Sequence, residues 1–198
     1  MKWRGKRLWV IATLIGLVSI GAPALFFWSL SGVHQHCIKI SGSLLRAYAI
    51  DHGGKYPVHT NGFGDALALL VAESNPDAAQ YFVGVGDDGA WLQAAATNGS
   101  NVSEDRCTRI FVQGLDESKY ELAVLFDRYA VRGGDHRRSF FLPYVREVCM
   151  ADGSMQVIRQ ENWTAFASNQ VELLVGEGIS RATAEAYYRP TLDPKAIR

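Results

Sequence analysis

LWVIATLIGLVSIGAPALFFWSL, residues 8–30, contains no Lys, Arg, His, Asp, Glu, Asn or Gln in twenty-three positions. At about 1.5 Å per residue a helix of this length reaches about 35 Å, enough to cross a hydrocarbon core of about 30 Å with some tilt. The stretch reads as a transmembrane helix, with Leu8, Trp9, Phe26, Phe27 and Trp28 as its membrane-anchoring residues. Lys2, Arg4, Lys6 and Arg7 precede it, and no acidic residue occurs before Asp51. That charge asymmetry predicts a cytoplasmic tail over residues 1–7 and export of everything after residue 30. A cleaved signal peptide is the competing reading, since Ala22-Pro23-Ala24 has the small-x-small form of a cleavage site. Against it, the apolar run continues through Leu25, Phe26, Phe27, Trp28 and Leu30, past the point where a signal peptide turns polar.

Working outward, the helix is expected to continue as an amphipathic stem over residues 31–52. Val33, Cys37, Ile40, Leu44 and Tyr48 recur at helical intervals and form the expected buried stripe. Gly53-Gly54 supplies a C-terminal stop, and Pro57 follows closely. Residues 53–198 then form one α+β domain, an ordinary size for a single core. Beyond the span the chain carries 16 basic and 20 acidic residues, a balance of −4, which gives no footprint for nucleic acid.

In the domain a helix is expected over residues 65–72, a short strand at Tyr81-Phe82-Val83, and a short helix over residues 91–96. Strands are expected at residues 108–112, 123–127, 147–151 and 154–159, the last two flanking Asp152-Gly153, a two-residue hairpin signal. A helix over residues 163–175 and another capped by Ser180 follow, the latter ending at Pro190 with a loose tail from Thr191. Three cysteines cannot make a disulfide scaffold, and they lack the paired spacing of a zinc site. If residues 108–112 and 147–151 are neighbouring strands, Cys107 and Cys149 come within the roughly 4.4–6.8 Å that a bridge requires, leaving Cys37 free.

Residues 44–71, LLRAYAIDHGGKYPVHTNGFGDALALLV, resemble the segment after the long N-terminal helix of type II secretion pseudopilins, the matching positions including Tyr48, Asp51, Gly54, Tyr56 and Pro57. Residues 110–158 resemble the C-terminal part of the bacterial pseudopilin-like group with a His-x(n)-Asp-Gly motif, carried here by His136, Asp152 and Gly153. Fifteen residues separate His136 from Asp152, more than the family spacing. The prepilin cleavage motif is absent: Gly5 is followed by Lys6, and the span holds no Glu.

The resemblance implies a pilin-like α+β fold, with the long N-terminal transmembrane helix packed on a small antiparallel sheet and additional C-terminal helices. It implies a single-pass protein of the bacterial inner membrane with a periplasmic C-terminal domain. Its role would be structural, in or related to a type II secretion or pilus-like assembly. The expected partners are the bilayer and other secretion-system or pilin-like proteins. No nucleophile and base stand in a recognisable catalytic pattern, so an enzyme is not expected, and no cofactor is called for. His136 and Asp152 are the weak candidates for a metal or for acid–base work. The alternative from another class is a membrane-anchored periplasmic binding or sensing domain of pilin-like shape.

Overall fold

The computed structural model describes residues 38–84, 88–133 and 142–192. The expected tail and span, the stem upstream of residue 38, and His136 all lie outside the described residues. Among the described residues no helix is long and apolar enough to cross a membrane.

The described chain is α+β. Helix α1 (Ile38–Asp51) is followed by α2 (Phe63–Ser74), a 3-10 turn at Pro76–Ala78, α3 (Ala79–Phe82) and α4 (Ala90–Asn98). Strands β1 (Arg109–Phe111), β2 (Ala123–Asp127), β3 (Val131–Arg132), β4 (Tyr144–Met150) and β5 (Met155–Arg159) come next, then α5 (Gln160–Gly176) and α6 (Arg181–Leu192). Every strand pairing is antiparallel. Strand β4 is the centre. It pairs with β2 through Val148 to Met150 and with β3 through Tyr144 and Val145, while β5 runs along Val145 to Cys149. Because β5 fills one edge of β4, β2 and β3 must share the other, and β1 lies beyond β2.

The sheet is covered on both faces, as the near-continuous burial of β2 and β4 requires. Leu125 and its register partner Cys149 point toward α1, where Gly42 approaches the Cys149 sulfur so closely that an added Cβ would stand 2.7 Å from it. Phe126 and its partner Val148 point the other way, and Phe126 meets Trp163 of α5 and Tyr188 of α6 at ring-centroid distances of 5.8 and 4.7 Å. Helix α5 buries Trp163, Ala167, Gln170, Val171 and Leu174, a stripe at helical spacing.

Several expectations are met in detail. The strand at residues 123–127 is β2, and Ser180 caps α6 through its Oγ, which accepts the Thr183 N–H at 3.2 Å. Gly53 and Gly54 end α1 with φ of 66° and 84°, and the Gly54 N–H donates back to the Ala49 carbonyl at 2.7 Å, the long return bond of a glycine-stopped helix.

Others are corrected. The buried face of α1 is Ile38, Ser41, Gly42, Leu45 and Ala49; Ile40 is exposed, and Leu44 and Tyr48 are half-buried flanks. The helix is turned by one position because close approach to β4 selects small residues, which hydrophobicity does not flag. Tyr81-Phe82-Val83 is no strand: Tyr81 and Phe82 belong to α3, where Asn75 Oδ1 caps the preceding 3-10 turn by accepting the Asp77 N–H at 3.0 Å. The turn at Asp152-Gly153 is a three-residue loop. The Gly153 N–H donates to the Met150 carbonyl, and Met150 N–H reaches the Ser154 carbonyl at 2.9 Å, with Gly153 left-handed at φ 80°. That arrangement is a type I turn closed by a glycine bulge.

Pro190 does not end α6, which runs on to Leu192. The last turn is held from outside: Thr191 is fully buried, its Oγ1 accepts the Trp163 indole N–H at 2.8 Å, and its carbonyl accepts from Arg146 at 2.9 Å. Thr191 is therefore not the start of a loose tail. Cys107 and Cys149 are both buried and are not bridged to each other. Strand β2 lies between β1 and β4, and two strand spacings, about 9.6 Å, exceed the reach of a disulfide. Strand β3 was not anticipated from the sequence; two residues carry too little pattern.

Candidate functional site

Part of the segment singled out by resemblance, Gly54 to Pro57, meets the β4–β5 turn at one corner of the domain. Tyr56 is buried, and its hydroxyl donates to the Ala151 carbonyl in the β4–β5 turn, beside Asp152 and Gly153. On its other side the same segment is stitched by backbone bonds: Tyr56 N–H to the Leu115 carbonyl at 3.1 Å, and Glu117 N–H to the Gly54 carbonyl at 2.9 Å. Pro57 is buried and extends the segment away from the helix end. Burial, more than any nearby charge, pushes the Tyr56 phenol well above its usual range, so it keeps its proton and stays a donor at neutral pH.

The remaining motif residues are peripheral. Asp51 is exposed at the end of α1. Tyr48 is half-buried and stacks on His52 at 3.8 Å, while His52 Nε2 lies 3.2 Å from Glu73 on α2. Asp152 is exposed and serves the turn: its Oδ1 accepts the Ser154 N–H at 2.8 Å, and the Ser154 bonds hold its carboxyl below the ordinary value. Among the described residues no group of three or more His, Cys, Asp or Glu side chains could hold a metal ion. Asp152 therefore stands in a turn rather than a described metal cluster, and its sequence partner His136 is outside the described residues.

What sequence reading missed is the polar seam between α1 and the sheet. Arg109 on β1 is fully buried, and its Nε lies 3.2 Å from Oδ1 of Asp127, its register partner on β2. The guanidinium also donates to Ser41 Oγ of α1 at 3.4 Å and to the Tyr81 carbonyl of α3. Ser41 itself donates to that same Tyr81 carbonyl. Asp127 Oδ2 then accepts the Glu147 N–H of β4 at 2.9 Å. One buried cation and one buried carboxylate thus tie β1, β2, β4, α1 and α3 together. The available signal was a charge within each apolar strand: Arg109 before Ile110 and Phe111, and Asp127 closing AVLFD.

On the opposite face Arg146 is also buried, stacked 4.7 Å over the Trp163 ring and bonded to Gln160 Oε1 and to the end of α6. Burial lowers its guanidinium to about 10, with the Asp127 charge opposing that shift. Cys149 sits under Gly42, and burial pushes its thiol up to about 12. A thiol so held is a packing group and not a nucleophile. The chemistry this arrangement supports is mechanical: a helix fastened to a sheet by close contact and by buried polar bonds. No protein-family model, no curated protein and no solved structure matches this chain.

Proposed function

We propose that the chain is a membrane-anchored, pilin-like structural component of a secretion or pilus-like assembly in the bacterial envelope, with the domain after residue 30 outside the cytoplasm. The observation that carries this reading is the seating of α1 on an antiparallel sheet through Ser41, Gly42, Leu45 and Ala49. A helix seated that way holds the chain entering the domain at Ile38 in a fixed direction, whereas a flexible tether has no use for so tight a seam. The absence of a nucleophile–base pattern in the sequence accords with a non-catalytic role.

The test uses the full chain in its native host. A periplasm-active reporter fused after residue 30 should be active, because four basic residues precede the apolar stretch. A photo-crosslinker at Ile50, 68% exposed on α1, should trap pilin-like or other secretion-apparatus proteins. An inactive reporter would remove the topology. Crosslinks absent from an active fusion, together with a ligand-dependent rise in melting temperature, would replace the structural role with that of a binding domain.

A further inference from the structure

The described chain carries two exposed asparagines followed by glycine, Asn61-Gly62 and Asn98-Gly99. In such a pair the glycine backbone nitrogen can attack Cγ of the asparagine side chain, because glycine has no Cβ to obstruct the approach. A new C–N bond closes a five-membered succinimide, the amide nitrogen leaves as ammonia with the proton given up by the glycine N–H, and water then opens the ring. Opening at one carbonyl gives aspartate; opening at the other gives isoaspartate, with the backbone routed through the side-chain carbon. The net change is one water consumed and one ammonia released.

The two sites differ in how the attacking nitrogen is held. Gly99 caps α4, and its N–H donates to the Ala95 carbonyl at 2.9 Å with φ 65°, so attack first requires the last helical turn to unwind. Asn61 lies in the connection before α2. There the Gly62 N–H reaches the His59 carbonyl at only 3.3 Å, and among the described residues the Asn61 carboxamide makes one long contact, Nδ2 to Asn101 Oδ1 at 3.5 Å. We infer that Asn61 is a succinimide-forming deamidation site and that Asn98, with the same dipeptide, is protected.

The position gives the modification a structural consequence. Glu104 Oε1 accepts the Phe63 N–H at the start of α2 at 2.8 Å, and Asp65, in the first turn of α2, accepts the Val102 N–H through Oδ1 at 2.5 Å, so two carboxylates already stand there. Gly62 packs directly against the Glu104 carboxylate. A third carboxylate at position 61, and an extra backbone methylene in the isoaspartyl form, would displace Glu104 and loosen the first turn of α2.

The experiment incubates the full chain in mildly alkaline buffer at physiological temperature and maps peptides by mass spectrometry with fragmentation that separates aspartate from isoaspartate. Conversion at Asn61 is expected about tenfold faster than at Asn98, since the Gly99 N–H must first leave a well-formed helical bond. Asn61→Gln should abolish the fast conversion while the protein keeps its melting temperature. In the converted fraction, amide exchange in the first turn of α2 should quicken. Equal rates at the two sites, a faster rate at Asn98, or no conversion at either would overturn the assignment. Unchanged exchange in converted protein would overturn the proposed loosening.

Discussion

The two faces of the sheet are sealed by different physics. Toward α5 and α6 the seal is mainly aromatic: Phe126, Trp163, Phe166 and Tyr188 fill space with large rings, offset or tilted on one another, around the buried Arg146 guanidinium. Toward α1 the seal is close and partly polar, with Gly42 and Ser41 replacing bulk by proximity and Arg109 replacing apolar filling by directed bonds. Rings tolerate small rotations, whereas a guanidinium held by Asp127, Ser41 and the Tyr81 carbonyl does not. The α1 face therefore holds its helix by close approach and directed bonds, and the α5–α6 face supplies most of the bulk.

The largest expected effect separates the buried line of α1 from its flank. Leu45→Asp places an unpaired charge at a position 1% exposed and should cost about 3–5 kcal/mol, a large share of the stability of an ordinary domain. Leu44→Asp, on the half-buried side, should cost only about 1–2 kcal/mol. Denaturant unfolding of both variants measures the gap, and similar losses would mean that α1 is seated on its other side. Next, Arg109→Met strands Asp127 in the interior and should cost about 3 kcal/mol or more. Adding Asp127→Asn removes the stranded charge but keeps an acceptor for the Glu147 N–H, so the double variant should recover part of the loss.

These positions also mark where the sequence was legible and where it was not. Strand β2 could be read because AVLFD is a short apolar run bounded by polar residues, and α5 because its apolar positions recur at helical spacing. The face of α1 could not, since a close contact to β4 is made by a glycine and a polar bond to β1 by a serine, neither of which registers as apolar. Pro190 misled for a related reason: its missing N–H ends a helix only when nothing else holds the next turn, and here Trp163 and Arg146 grip Thr191 from two other elements. The Tyr56 corner was singled out by resemblance, yet the bond joining it to Ala151 spans 95 residues and leaves no local trace.

A third effect is tied to pH. Cys149 keeps its proton in the folded state to about pH 12, whereas an ordinary thiol loses it near 9.0. The unfolded chain therefore holds fewer protons above pH 9.0. The stability due to the neutral thiol is complete below that point and falls as pH rises toward 12, by at most about 1.4 kcal/mol per pH unit. Between pH 9.0 and 10.0, before ordinary phenols ionise, Cys149→Ala should flatten the decline in denaturant-measured stability. An unchanged slope would place the thiol in water rather than under Gly42.

The smallest effect should have the opposite sign and belongs to the aromatic face. The Tyr188 hydroxyl is buried without a hydrogen-bond partner among the described residues, so its ring seals the face while its oxygen remains desolvated and unpaired. Tyr188→Phe should stabilise the protein by about 1 kcal/mol, read as a rise in melting temperature. A loss of stability would show that the Tyr188 hydroxyl makes a bond this face needs.

The central claim is that α1 belongs to the core of the domain and is not a tether ending beside it. Native-state amide hydrogen exchange on the full chain tests it most directly. The amides of Leu45 and Ala49, donors within α1, are expected to exchange only with the opening that exposes the β2–β4 ladder, at the same free energy as Leu125 and Cys149. Exchange in α1 at a markedly lower free energy than in the ladder would mean that the helix detaches while the sheet stays folded, and would contradict the account.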